Sequence, residues 1–370
     1  MRSSRVCSGA VVACAALALQ APAQAGMTAF DVYGASWREI ALPPVGPGSF
    51  SVALDALADG RLVAATGLSV FVETAVGSGL FAQAATVDGA LVGGSTDPSF
   101  LSVSPDGSKI ALGAGFGKPV VVFDASVLST TAPGSITAAA ASVFHVDHFS
   151  AAWADDSSLA IASGAFGSPS IVSLLDVTSD PLSPVHTTVV ANIGGASGGV
   201  AFDAAGNLYT SNGFDLGPGG TGTGAVKAFA PSQWSPASPA PDFESAGQFV
   251  IDILSASSLA FDGEGDLFVG GGDSFGPGET GFLAVVRAGA VQSALAGAGP
   301  IDPLSADVRR LDPLGDGSGL YSVFFNEATG ELYAQAGGRL FATLPSPGGA
   351  ATLLVAALAG GSVRRRRCAA

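Results

Sequence analysis

Six times along the chain the same short pattern returns: an apolar strand, an acidic or small turn that usually ends in glycine, and a second apolar strand. The segments read FSVALDALADGRLVAATG, FLSVSPDGSKIALGAG, FSAAWADDSSLAIASG, GVAFDAAGNLYTSNG, LAFDGEGDLFVGGG and SVFFNEATGELYAQAG. The first aliphatic residues of the second strands are Leu62, Ile110, Leu159, Leu208, Leu267 and Leu332, at intervals of 48, 49, 49, 59 and 65 residues. The two longer intervals carry Pro-, Gly- and Ser-rich insertions. Apolar residues alternate within each segment, which is the period of strands and not of helices. Asp-Gly or Asp-x-x-Gly between two such strands signals a hairpin, because glycine supplies the positive φ of the turn. Strand pairs repeating near every fifty residues predict an all-β fold, a six-bladed β-propeller. A seventh blade would have to be hidden in Gly289–Gly319.

Counting strands predicts how the ring closes. The last repeat has room for three strands, around Val323–Phe325, Leu332–Gln335 and Leu340–Leu344, one short of a full blade. The segment AFDVYGASWREIAL precedes the first repeat and has no partner of its own. It is expected to supply the missing outer strand of blade six and so to cover both sheet edges.

The two ends of the chain differ from the repeats. Met1–Arg5 carries two arginines, VVACAALAL is apolar, and AQA places Ala23 and Ala25 at the small cleavage positions of a secretory signal peptide. The mature chain is then expected to begin near Gly26. Cys14 is not read as a lipidation site, because the apolar run continues past it. At the other end, Pro345-Ser346-Pro347-Gly348 leads into an apolar stretch that stops at Arg364, Arg365, Arg366 and Arg367. The apolar run from Gly348 to Val363 is slightly shorter than the roughly 17–25 residues that span a bilayer as a helix. The arginines would stay on the cytoplasmic side. The division is therefore 1–25 signal peptide, 26–344 propeller and 345–370 sorting or anchor segment.

Composition excludes several chemistries. The three cysteines are Cys7, Cys14 and Cys368, all inside the terminal segments, so the domain has no disulfide, thiolate metal site or cysteine nucleophile. Removing Arg2, Arg5 and the four terminal arginines leaves nine basic and 30 acidic residues, a formal charge of −21. Such a surface repels phosphate backbones and argues against nucleic acid as a partner. No H-E-x-x-H, nucleophile elbow or phosphate-cradling loop is read in the chain.

Candidate ligand groups gather on one predicted face. Four hairpins are followed by GFGKP, AFGSP, GFDLGP or SFGPG, in loops joining second and third strands at the channel mouth. Asn212 and Asp215 lie beside this signature in blade four, and Asp273 and Glu279 in blade five. HVDH, His145–His148, enters blade three on the same face. Asp215 and Asp273, with Asn212 and His148 as weaker candidates, form a ligand or metal set suited to a divalent cation such as calcium. The phenylalanines of the signature are read as packing residues, and the turn acids Asp106, Asp155, Asp203 and Asp262 as Asx-turn formers.

Two resemblances extend this reading. AFDAAGNLYTSNG and AFDGEGDLFVGGG resemble NHL-type propeller repeats, and oxygen ligands with a histidine over the channel resemble the gluconolactonase-like propellers. The tail resembles the PEP-CTERM sorting signal, with Pro345–Gly348 as the motif, Thr352–Ala359 as the helix and Arg364–Arg367 as the cluster. Ser346 replaces the family's usual glutamate. The resemblance implies export, processing by an exosortase-type enzyme, a transient membrane anchor through the tail, and delivery to the cell surface or extracellular matrix. Extracellular polysaccharide or surface proteins are the implied partners. The function expected is a non-enzymatic binding or structural module; the alternative is a secreted metal-dependent hydrolase or lyase of the gluconolactonase-like kind.

Replacing Arg364–Arg367 by glutamine should impair sorting, because the positive cluster fixes the tail on the inner side of the membrane. Mass spectrometry of the surface protein checks this. An unchanged yield and an unchanged C-terminus would contradict it.

Overall fold

The structure, a computed structural model, describes residues 29–44, 52–115, 117–163, 169–194, 196–214, 224–253, 255–272, 281–314, 320–336 and 338–343. Six sheets follow one another, each built on four antiparallel strands, most of them consecutive in sequence. Their inner strands are Ala53–Ala56, Phe100–Val103, Ser150–Trp153, Ala196–Phe202, Ala256–Phe261 and Leu320–Asn326. Each inner strand touches the inner strands of both neighbouring blades, and the first touches the last. The result is a closed six-bladed propeller.

The second strands carry the repeat signal. They span Leu62–Thr66, Lys109–Gly113, Ser158–Ser163, Leu208–Phe214, Leu267–Gly271 and Glu331–Ala336. The six aliphatic residues that define the interval, Leu62, Ile110, Leu159, Leu208, Leu267 and Leu332, are all fully buried. Each lies at the centre of a blade sandwich, where truncation of a leucine to alanine costs roughly 2–5 kcal/mol. The acids between first and second strands act locally. Asp106, Asp155, Asp203 and Asp262 each accept the backbone N–H of the residue two positions on, at 2.8–3.0 Å. These are Asx turns, as their sequence context predicts.

Glycine sets how closely blades four, five and six approach. A Cβ on Gly198 would fall 1.9 Å from Ser211 Oγ and 2.2 Å from the Ala256 carbonyl oxygen of blade five. A Cβ on Gly270 would meet Val323 of blade six at 2.4 Å. No larger side chain fits these seams.

The described residues of Gly289–Gly319, where a seventh blade could have been hidden, form none. Ala288–Ser293 is a short helix, the chain turns on through Ala298, and Val308–Leu311 becomes the outer strand of blade five. The run AGAVQSALAGA is rich in small residues and lacks strand alternation, so it favours a helical excursion. Blade one gains a fifth strand instead: Gly134–Ile136, from the excursion between the third and fourth strands of blade two, pairs in parallel with Phe81–Val87.

The ring is closed by the N-terminal segment. Trp37–Ile40 pairs antiparallel with Arg339–Thr343, in the register Trp37↔Thr343 to Ile40↔Leu340. It forms the outer strand of the blade whose other strands are the last of the propeller. Arg38 grips Glu331 through a two-oxygen fork at 2.9 Å, and Tyr333 donates a hydrogen bond to the same carboxylate at 2.5 Å. Arg339 pairs in turn with Glu39. Upstream, Phe30 and Tyr33 are buried against Phe268, Leu311 and Leu320. The Arg287 guanidinium lies 4.1 Å from the Phe30 ring centroid, Arg309 donates to the Phe30 carbonyl at 2.6 Å, and Tyr33 donates to Asp262 at 2.8 Å. Among the described residues no helix is long and apolar enough to cross a membrane. The signal-peptide and tail positions, including Ala23, Ala25, Pro345–Gly348 and Arg364–Arg367, lie outside the described residues.

The two forks across the closure are expected to contribute unequally. Glu331 is almost fully buried, so Arg38→Ala strands a carboxylate and should cost about 2–3 kcal/mol, below the roughly 3–5 kcal/mol of a fully buried pair because Arg38 is partly solvated. Both partners of Arg339–Glu39 are half exposed, and Arg339→Ala should change stability little. Urea unfolding of the two variants tests this; equal losses would contradict it.

Candidate functional site

The inner strands of all six blades line one channel of about 600 Å³. This lies in the range of roughly 300–1,000 Å³ occupied by small-ligand sites. Its wall combines aromatic side chains, among them Trp153, Phe202, Phe261 and Phe324, with the serines 99, 102, 150, 257, 258 and 322. Several of these groups also tie neighbouring blades together. Trp153 Nε1 donates to the Ser102 carbonyl at 3.1 Å, and Ser258 Oγ accepts the Val323 N–H at 2.9 Å.

One charged side chain stands among the described lining residues: Asp55, on the inner strand of blade one. It is the functional candidate that the motif search missed. The signal was present in the repeat itself. Asp55 lies seven residues before Leu62, and the same position in the other five repeats holds Val103, Ala152, Ala201, Ala260 and Phe325. The Asp55 carboxylate accepts the Ala56 N–H and the Val103 N–H of blade two, both at 2.7 Å. Burial pushes its pKa up to about 6 against these two hydrogen bonds. It lies deep in the ring, yet part of its surface remains open to the channel.

The candidates drawn from the loops fare differently. Asp215, Asp273 and Glu279 lie outside the described residues. Asn212 is buried at the end of the second strand of blade four, where its Oδ1 accepts the Ala225 N–H at 2.6 Å. Its amide therefore bridges the second and third strands at the base of the loop. His148 is buried too, edge-on to Phe100 with ring centroids 5.5 Å apart, and its Nδ1 lies 3.1 Å from the Val146 carbonyl oxygen. Burial lowers its pKa and favours the neutral ring. His145 and Asp147 are exposed, so alternation along this segment turns them away from His148. Among the described residues no group of three or more His, Cys, Asp or Glu is arranged to hold a metal ion.

Gly195–Gly199 and Gly272–Gly276 both carry the spacing G-x-S-x-G, which the sequence reading passed over. A nucleophile elbow needs that spacing at a turn from strand to helix. The first stretch instead runs into the inner strand Ala196–Phe202, and Gly198 is there because blade five leaves no room for a side chain.

A second set of acids gathers beneath the N-terminal segment. Asp262 accepts the Tyr33 hydroxyl, and buried Asp266 accepts the Ala288 N–H at 2.6 Å. Burial, with Asp262 and Glu264 nearby, raises the Asp266 pKa to about 6, and burial and Asp262 raise that of Glu327. Of this set Asp262 bonds the closing segment, and none of it is among the described residues that line the channel.

No family model matches the chain. No curated protein matches it either. Solved structures do. A Trichoderma reesei carbohydrate-active enzyme of family AA12, in an iodide structure, aligns with a TM-score of 0.56 at 12% identity over 84% of this chain and 96% of its own. A putative gluconolactonase aligns at 0.50 and 13% identity, over 83% and 90%. The PQQ-bound aldose sugar dehydrogenase of Streptomyces coelicolor aligns at 0.50 and 16% identity, over 83% and 98%. At these identities the likeness is one of fold.

Asp55 and Asp266 hold their protons more tightly folded than unfolded. Their contribution to stability is complete below about pH 4 and is lost as pH rises through about 6. Asp106 works in the opposite sense, since its turn hydrogen bonds depress it to about 2, and it matters only in stronger acid. Buried His148, held neutral, works the other way as pH rises, one imidazole against two carboxylates. The free energy of unfolding, and with it the urea midpoint, should therefore fall between pH 4.5 and 7.5, and Asp266→Asn should reduce the fall in free energy by on the order of 2 kcal/mol. A midpoint that rises across the window, or an unchanged slope in the variant, would contradict the assignment.

Proposed function

We propose that this chain is an exported, surface- or matrix-associated binding module whose channel receives a hydroxyl-rich ligand, a saccharide unit of an extracellular polysaccharide. The lining carries this reading. Aromatic faces stack on the C–H faces of a sugar ring, serine hydroxyls exchange hydrogen bonds with its hydroxyls, and both occur in one channel of suitable size. The strongly acidic surface keeps such a domain soluble outside a cell and disfavours polyanions as ligands. The terminal segments support export and sorting, with an exosortase-type enzyme as the processing partner.

The role is non-enzymatic in this reading. The charged group in the described channel wall is a single carboxylate, and acid–base hydrolysis of a glycoside uses a pair. A metal-dependent hydrolase or lyase would have to draw its ligands from Asp215 and Asp273 at the mouth, and elemental analysis of the purified domain separates the two readings.

Trp153 provides a direct test, since its indole forms part of the channel wall. Titration with oligosaccharides released from the producing cell's own matrix should shift the tryptophan emission, and the Trp153→Phe variant should lose the shift. An emission change that survives in Trp153→Phe, or no change at saturating oligosaccharide, would defeat the proposal.

A further inference from the structure

Asp55 places a negative charge at a repeat position where the other five blades have Val, Ala, Ala, Ala and Phe. Two backbone donors, Ala56 N–H from its own strand and Val103 N–H from the next blade, fix the carboxylate from both oxygens. Those bonds orient the group without neutralising it. No Lys, Arg or His stands among the described residues that line the channel. Burial is the cause that raises its pKa, and no neighbouring charge contributes. An ionised carboxylate withdrawn from bulk water is costly unless a counter-charge is supplied.

We infer that Asp55 is the specificity-determining residue of the channel and that it selects a sugar-sized ligand bearing a primary ammonium, an amino sugar, over its neutral counterpart. This rests on the saccharide reading above and narrows it. The ammonium supplies the counter-charge that the wall lacks, while the partly exposed Ser102, Ser150 and Ser322 and the ring of Trp153 remain for the hydroxyls and the sugar face. The fixed orientation of the carboxylate means that little further ordering is needed when the cation arrives. Acetylation of the amine removes the charge and adds bulk, so the neutral N-acetyl form loses the interaction that Asp55 is placed to make.

Calorimetric titration of the mature chain with glucosamine and with N-acetylglucosamine at pH 7.5 tests this. Glucosamine should bind at least ~10-fold more tightly to the wild type, a gap in the range expected when one charge-assisted contact is gained. The ratio should fall below ~2 in Asp55→Asn and persist in Asp55→Glu, whose charge is retained. Equal affinities in the wild type, or a ratio unchanged in Asp55→Asn, would overturn the inference. Binding of N-acetylglucosamine alone would leave the saccharide reading standing and remove the ammonium selection. Binding of neither would remove both. Should Asp55→Asn fail to melt cooperatively, the wild-type ratio at pH 4.5 replaces it. No other titratable group lines the described channel, the carboxylate is protonated there, and a preference that survives would overturn the inference.

Discussion

Everything in this ring depends on one pairing between residues about 300 positions apart. Trp37–Ile40 lies on Arg339–Thr343, and without it blade six would expose a strand edge and Ile40 would be lost from the apolar seam that joins the first and last blades. Long-range closure is entropically costly, so the contact must be strong where it is made. The chain concentrates its scarce cations there. Arg287, Arg309 and Arg339 contact residues 30–39, Arg38 reaches out from that segment to Glu331, and these are four of only nine basic residues between the terminal segments. Tyr33 adds a buried hydrogen bond to Asp262 of blade five. A domain that is so acidic thus commits four of its nine positive side chains to holding its own ends together.

The seams between blades show the same design on a smaller scale. Asp55 accepts from Val103 and Ser258 from Val323, pairs that are 48 and 65 residues apart and so match the local repeat interval. Equivalent positions on neighbouring inner strands face each other across each seam, and a polar side chain there can bond the next blade's backbone. In blade one the group is a carboxylate, and it brings to the channel a charge that a hydroxyl would not. Seam and channel are therefore the same wall seen from two sides, which is why a residue that stitches two blades can also address a ligand.

Much of the fold was legible because its period is physical. The leucine or isoleucine at the head of each second strand must be apolar to fill a blade, and the aspartate or asparagine in each turn accepts a nearby N–H, so both recur with the repeat. The unpaired N-terminal segment was legible by counting strands. Six blades were the count expected, and the room left for a degenerate seventh in Gly289–Gly319 is taken instead by a helix, which its small residues and missing alternation describe. The site was harder to see. Asn212 and His148 were chosen for their chemistry, yet burial and backbone hydrogen bonds occupy the first and enclose the second. Asp55 escaped notice because an isolated acid carries no motif, and its departure from five apolar counterparts shows only when the repeats are aligned.

Hydrogen exchange at the amides of Trp37–Ile40 tests the central claim most directly. If this strand completes the last blade and the ring cannot open without losing the fold, its amides that donate across the pairing will exchange only through global unfolding. Their free energy of opening will then equal that of the second-strand amides around Leu208 and Leu267. Exchange of Trp37–Ile40 at rates close to those of an unprotected peptide, while the second strands stay protected, would show that the ring holds without its clasp and would contradict the account.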